Sequence, residues 1–310
     1  MNLSLFDLHC DTAGEMLRQG QGLADNTLSV SLKKAQAFSP YVQVMAHWTP
    51  YSLDDEEGWS YFLRMNGNLL QDPAIVHGDA RICTAYSKDA PVPSLLLAVE
   101  DVRIAAGNLH RIDTLYQMGV RIVTPLWRGM TCIGGSHDRE EGLTPFGKEA
   151  LARMISLGII PDISHASVAS ADEMLAIARE HHRPVIASHS NAYEICPVSR
   201  NLRPHQIKGI LESDGLIGLN LFKDFLKEDG KATAEDVFPH IDSFLEMGCH
   251  KHLALGCDMD GCDLPPDIPD LSALPHLADR MLARGYSEEL IGDVFYNNAA
   301  SFAKKYLSEI

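Results

Sequence analysis

A rhythm in the sequence constrains this chain more than anything else in it. Eight apolar, strand-like runs recur, each followed by a segment with helical periodicity. They cover residues 3–9, 41–48, 94–100, 121–127, 159–165, 184–190, 216–222 and 252–258. Several are nearly uninterrupted, as in SLLLAVE at 94–100. A strand that is apolar on both faces must be covered on both, which is the condition of a parallel sheet. Amphipathic segments supply the cover. GNLHRIDTLYQMG stripes Leu109, Ile112, Leu115 and Tyr116 along one face and stops at Gly119. TPFGKEALARMISLG opens on a Thr cap and a Pro and stops at Gly158, the usual start and stop of a helix. Eight β-then-α units in 310 residues predict one α/β domain over residues 1–310, a single (β/α)8 barrel of the TIM type. The competing architecture is an open doubly wound sheet, but no G-x-G-x-x-G follows the first run. The tail from about 287 to 310 reads as one or two closing helices.

In such a barrel the chemistry sits where the strands end. Here those ends carry metal-ligand residue types. FDLHCDT contains His9 and Asp11, two apart and therefore on one side of a strand. SLLLAVE ends in Glu100, IIPDISH in His165, PVIASHS reaches His189, and LALGCD ends in Asp258. Each residue alone has an ordinary explanation as a satisfied core histidine or a solvated carboxylate. Their coincidence at five strand ends does not. Imidazole nitrogen with carboxylate oxygen is a usual zinc pairing. Three histidines and three carboxylates can serve two divalent ions, and Glu100 is the candidate to span both. Two ions would acidify a shared water and polarise a carbonyl.

The charge balance narrows the partners. Lys and Arg number 26 against 42 Asp and Glu, a net charge of −16. Nucleic acid and anionic membrane surfaces call for the opposite sign. The seven cysteines are odd in number and form no CxxC, which reads as reduced thiols in a cytoplasmic protein. No signal peptide is visible, and no run approaches the roughly 18 apolar residues of a membrane span.

The segments DLHCDT, AVED, YQMGVRIVTPLW, GLTPFGKEALARMISLGIIPDISHAS, PVIASHSNAYEICPVSRNL and LALGCDMDG together resemble the renal-type (membrane) dipeptidases of the amidohydrolase superfamily. The resemblance runs over nearly the whole chain. It implies a barrel with two Zn2+ ions, for which Mn2+ or Co2+ could substitute. His9 and Asp11 would bind one ion, His165 and His189 the other, and Glu100 would bridge them. Asp258 would stand beside the bridging hydroxide, take up its proton and help place the substrate amine, with Asp260 the weaker candidate for that role. Arg200, in VSRN, would hold the substrate's terminal carboxylate, to which an arginine fork is matched. A homodimer is a further family expectation.

The chain also departs from the family pattern. A histidine that contacts the scissile carbonyl follows the fourth strand in the family; here the matching residue is Trp127, whose indole N–H offers one hydrogen bond. His47 and His137 are the alternative donors. AVED lacks the Gly that usually follows the bridging Glu. The leading expectation is a dipeptidase that tolerates D-residues at the C-terminal position. Trp127 motivates an alternative: a metal-dependent amidohydrolase acting on N-acyl amino acids, cyclic amides or lactones. A catalytically silent metal-binding barrel is the reading from another class.

Overall fold

The computed structural model describes residues 3–307. A parallel sheet forms its centre. The strands are β1 (Leu3–Cys10), β2 (Phe38–Trp48), β3 (Arg81–Cys83), β4 (Ser94–Glu100), β5 (Val120–Thr124), β6 (Ile160–Pro161), β7 (Ile217–Leu219) and β8 (Leu253–Leu255). Their ladder runs β6-β5-β4-β2-β1-β8-β7. Two parallel bridges, Asp162 to Ile186 and Ala187 to Ile217, carry the pairing from β6 to β7. Residues 186–187 are thus the stave that closes the curl, and the α/β barrel expected from the rhythm is the fold.

The staves are unequal in a way the apolar runs do not reveal. The runs at 159–165 and 184–190 shrink to a two-residue strand and a pair of bridges. Pro161 has no N–H with which to continue a ladder. The runs at 216–222 and 252–258 give three-residue strands, and the run at 121–127 stops at Thr124. The carbonyl of Ser188 wedges between the last two staves. A Cβ on Gly218 or Gly256 would fall 1.8 or 1.7 Å from it, so both positions need glycine. One strand was not anticipated: β3 pairs with the first half of β4, outside the ring of staves. Three residues are too few to show a period.

Alternate residues of the staves fill two cores. Phe6, Leu8, Val44, Ala98, Ile122 and Ile186 belong to the inner one. Leu5, Met45, Leu97 and Val99 face outward, in one cluster with helix residues Phe62, Met154 and Phe244. Full burial of such a side chain stabilises the fold by roughly 1.5–3 kcal/mol. The closing helices expected near the end are present as Glu288–Gly292, the π-turn Asp293–Asn297 and Asn298–Tyr306; residues 308–310 lie outside the described residues. Tyr296, Ala299, Phe302 and Leu307 join the inner core. Asn298 donates to the carbonyls of His250 and Leu253 at the start of β8. This segment therefore plugs the barrel at the end opposite the strand C-termini. Among the described residues no helix is long and apolar enough to cross a membrane.

Candidate metal centre

The strand ends deliver their side chains to one place by different means. In β1, Asp7 pairs with Gln43 but Cys10 pairs with Met45, so one extra residue is inserted. This bulge switches the alternation. Phe6 and Leu8 face the inner core, Cys10 joins the outer one, and His9 and Asp11 turn into the barrel mouth. Glu100 ends β4 on the face shared with Leu96 and Ala98. His165, His189 and Asp258 follow the short staves on loops. His165 and Asp258 have φ values of 66° and 60°, a left-handed backbone that costs non-glycine residues energy and is often found at functional sites.

Glu100, 3% exposed, lies at the centre. Its Oε2 is 3.8 Å from His9 Nε2, while Oε1 is 2.9 Å from His165 Nε2 and 3.4 Å from His189 Nε2. His9 Nε2 also lies 3.4 Å from Asp11 Oδ2 and 3.9 Å from Asp258 Oδ1. Two triads result, His9–Asp11–Glu100 and Glu100–His165–His189, each with ligand atoms within 4.8 Å of one another. A third, His9–His189–Asp258, overlaps them.

Hydrogen bonding shows that this arrangement fits cations. His165 Nδ1 is 3.1 Å from the carbonyl of Trp127, and His189 Nδ1 is 2.7 Å from Ser188 Oγ. A carbonyl only accepts, so His165 donates from Nδ1 and its Nε2 keeps a lone pair. The two Nε2 atoms are 3.0 Å apart. His9 Nε2, Asp11 Oδ1 and Glu100 Oε1 are buried with no hydrogen-bond partner, which is costly unless a cation satisfies them. The local charges act the same way. Burial disfavours charge on His9, yet Glu100, Asp11 and Asp258 outweigh it and lift its pKa to about 10. Burial, then Arg200, holds His165 well below its usual range; burial, then His9, does the same to His189. Burial raises Asp258 to about 7 and Asp11 to about 6. Divalent cations would replace the proton His9 holds and relieve the crowded carboxylates.

A cavity of about 550 Å³ opens over the cluster, with Trp48, Trp127, Phe222 and Phe225 in its wall. Arg200 is only 5% exposed. Its guanidinium lies 5.1 Å above the Phe225 ring and donates from Nη2 to the carbonyl of His189 at 3.4 Å, and its Nε is buried without a partner. Asn220 donates to Asp258 Oδ2 at 2.9 Å, leaving Oδ1 toward His9. Asp260 has both oxygens engaged, by Thr12 Oγ1 and by the N–H of Ser29, each at 2.6 Å. It ties loops together.

Trp127 splits its duties. Its carbonyl orients His165, while its ring lies 5.0 Å from that of Trp48. His137 lines the cavity, its ring 5.8 Å from that of His165 and its Nδ1 2.8 Å from Ser199 Oγ. His47 does not reach the cavity. It lies on the outer face of β2 against Phe62, with Nδ1 near the carbonyls of Met45 and Ala98. Sequence reasoning passed over Asn220, Ser188, Trp48 and Gly261. A Cβ on Gly261 would meet Asp11 Oδ2 at 2.1 Å. Asn220 had a signal, being the one amide within the apolar LIGLNLF.

Comparison with known proteins finds a family and a shared fold. The family described as Membrane dipeptidase (Peptidase family M19) matches residues 2–305. A metallopeptidase from Rhodobacter sphaeroides, solved with a phosphinate mimic of the dipeptide L-Ala-D-Ala, superposes with a TM-score of 0.91 at 25% identity, covering 99% of this chain and all of that one. A dipeptidase named dipeptidase AC superposes at 0.92 with 26% identity, over the full length of both chains. The dipeptidase aclJ of Aspergillus oryzae is 30% identical over 64% of this chain. The match spans about half of that fungal protein, 48% of its length.

Proposed function

The chain belongs to the membrane dipeptidase family, which makes it a metallopeptidase of the dipeptidase class, and we propose that it cleaves dipeptides with a free C-terminal carboxylate at a centre of two zinc ions. The observation that carries this reading is Glu100, one carboxylate shared by two histidine-containing triads beneath a cavity that Arg200 enters. His9 and Asp11 would hold one ion, His165 and His189 the other. Bound there, the ions supply an acidified water and polarise the scissile carbonyl. The chain's own groups do the rest. Arg200 presents its unpartnered Nε and the rest of its guanidinium to the substrate carboxylate, fixing length and direction. Asp258, steadied by Asn220, receives the proton of the attacking water and returns it to the leaving amine. His137, which lines the cavity and is braced by Ser199, would donate to the carbonyl oxygen in place of the missing histidine. Tolerance of a D-residue at the C-terminal position is part of the proposal; a relative of the same fold binds a mimic of L-Ala-D-Ala.

The aromatic wall of Trp48 and Trp127 favours a second reading, hydrolysis of N-acyl amino acids. A panel of L-Ala-L-Ala, L-Ala-D-Ala, their C-terminal amides and an N-acetyl amino acid, offered to the zinc-loaded protein, separates the two. Turnover of the free dipeptides with the amides resistant is expected. Silence on dipeptides with turnover of the N-acetyl compound would replace the first reading by the second.

A further inference from the structure

Asp162 belongs to none of the triads and is fully buried, yet four donors converge on it. Its Oδ1 accepts the N–H groups of Ser164 and Ser188, each at 2.9 Å. Its Oδ2 accepts the hydroxyls of Thr124, at 2.5 Å, and of Ser188. A carboxylate offers about four acceptor sites, so its capacity is filled. The donors come from β5, from the loop after β6 and from the residue that follows the stave at 186–187.

The consequence falls on Ser188. Its single hydroxyl proton is committed to Asp162, because a carboxylate only accepts. Ser188 Oγ can therefore only accept from His189 Nδ1, 2.7 Å away. That places the His189 proton on Nδ1 and leaves Nε2 as a lone pair facing His165 Nε2 at 3.0 Å and Glu100 Oε1 at 3.4 Å. We propose that Asp162 and Ser188 form a tautomer lock, two positioning residues that set His189 for cation binding while tying together the thinnest staves of the barrel. The inference rests on the metal reading above.

A purely structural role predicts something different, and Thr124 separates the two. Thr124 bonds the same Asp162 oxygen as Ser188, and although its backbone pairs beside Glu100 its side chain hydrogen-bonds no candidate ligand. Zn2+ affinity, measured by competition with a chelator at fixed pH, is expected to fall about 10–100-fold in Ser188→Ala and to stay within about twofold in Thr124→Val. Both variants should lose thermal stability. Equal losses of affinity in the two, or none in either while the unaltered protein binds Zn2+, would overturn the lock and spare the metal reading. Failure of the unaltered protein to take up Zn2+ would sink both. An independent check uses the metal-free protein: 15N spectra of its histidine rings, with His189 assigned through His189→Gln. The expected form is Nδ1–H for His189, mixed with Nε2–H in Ser188→Ala. Finding His189 as Nε2–H in the unaltered protein would overturn the lock whatever the affinities.

Discussion

The barrel has a long-strand half and a short-strand half, and both contribute candidate ligands to one cluster. In the first, β1, β2 and β4 run for 8, 11 and 7 residues, and a ladder with a bulge between Asp7 and Cys10 aims His9, Asp11 and Glu100. In the second, β6, β7 and β8 run for 2, 3 and 3 residues. There side chains take over: Asp162 gathers three staves, Asn220 steadies Asp258, and His165 and His189 are each held through Nδ1. A continuous ladder orients a residue through the backbone alone. Where the ladder thins, orientation passes to buried polar groups, which must all be satisfied to work. One half resists substitution by geometry; the other depends on chemistry that a single atom can undo.

The largest expected effect tests the group that joins the halves. Glu100→Gln should lower kcat by about three orders of magnitude or more and reduce the bound metal, read by elemental analysis. Full activity in that variant would mean that the two triads do not work together. Next comes a pair of substitutions, one in each half. Gly256→Ala drives a methyl into the Ser188 carbonyl and should destabilise the fold by roughly 3 kcal/mol with a loss of metal affinity. Val44→Ala should cost roughly 2 kcal/mol with affinity unchanged. If denaturant melts and metal titrations show both losses tracking together in both variants, the division into halves fails.

A smaller effect should appear with pH. His240 is buried in the short-strand half, accepting the N–H of Ala192 on Nδ1 and donating from Nε2 to the carbonyl of Leu226, each at 3.1 Å. Burial lowers its pKa to about 4. Between about 4 and its unfolded value near 6.5, the unfolded chain binds the extra proton. Stability therefore rises with pH through this window and is lost as pH falls. His240→Gln should remove about one proton's worth of slope, roughly 1.4 kcal/mol per pH unit. An unchanged slope would show that His240 titrates normally. His47, in the long-strand half, is also pushed to about 4 by burial, so part of the slope should survive. The smallest effect on the metals belongs to Trp127→Phe. The backbone carbonyl that holds His165 is kept, so affinity should stay within about twofold while selectivity among bulky substrates shifts. A tenfold loss of affinity would mean the indole ring itself positions His165.

These halves were also unequally legible in the sequence. The β–α rhythm and the residues ending each run revealed the barrel and the members of the cluster, because burial and strand-end position leave local marks. Stave length left none. An apolar run such as PVIAS is apolar because it is buried, whether or not its backbone pairs along its length. The bulge in β1 was invisible too, although the spacing of His9 and Asp11 kept them together regardless of it. His47 could have been set aside from sequence: it shares the outward parity of Gln43 and Met45, while Val42, Val44 and Trp48 share the other. Asp162 sat unremarked inside IIPDISH. An acid in the middle of a buried run needs several donors, but naming them requires residues 124 and 188 to be neighbours, which only the closed ring makes true.

The plug formed by residues 293–307 bears on how the barrel is made. Phe6 in β1 is synthesised well before Tyr296, and their 6.5 Å ring contact joins the first strand to the closing segment. Until that stretch has left the ribosome, the inner core stands open at its base. Apolar surface that will later be dry faces water while the residues between β1 and the plug are made, the condition under which long nascent chains aggregate or engage chaperones. A chain stopped short of residue 293 would hold every candidate metal ligand and still lack the floor beneath them.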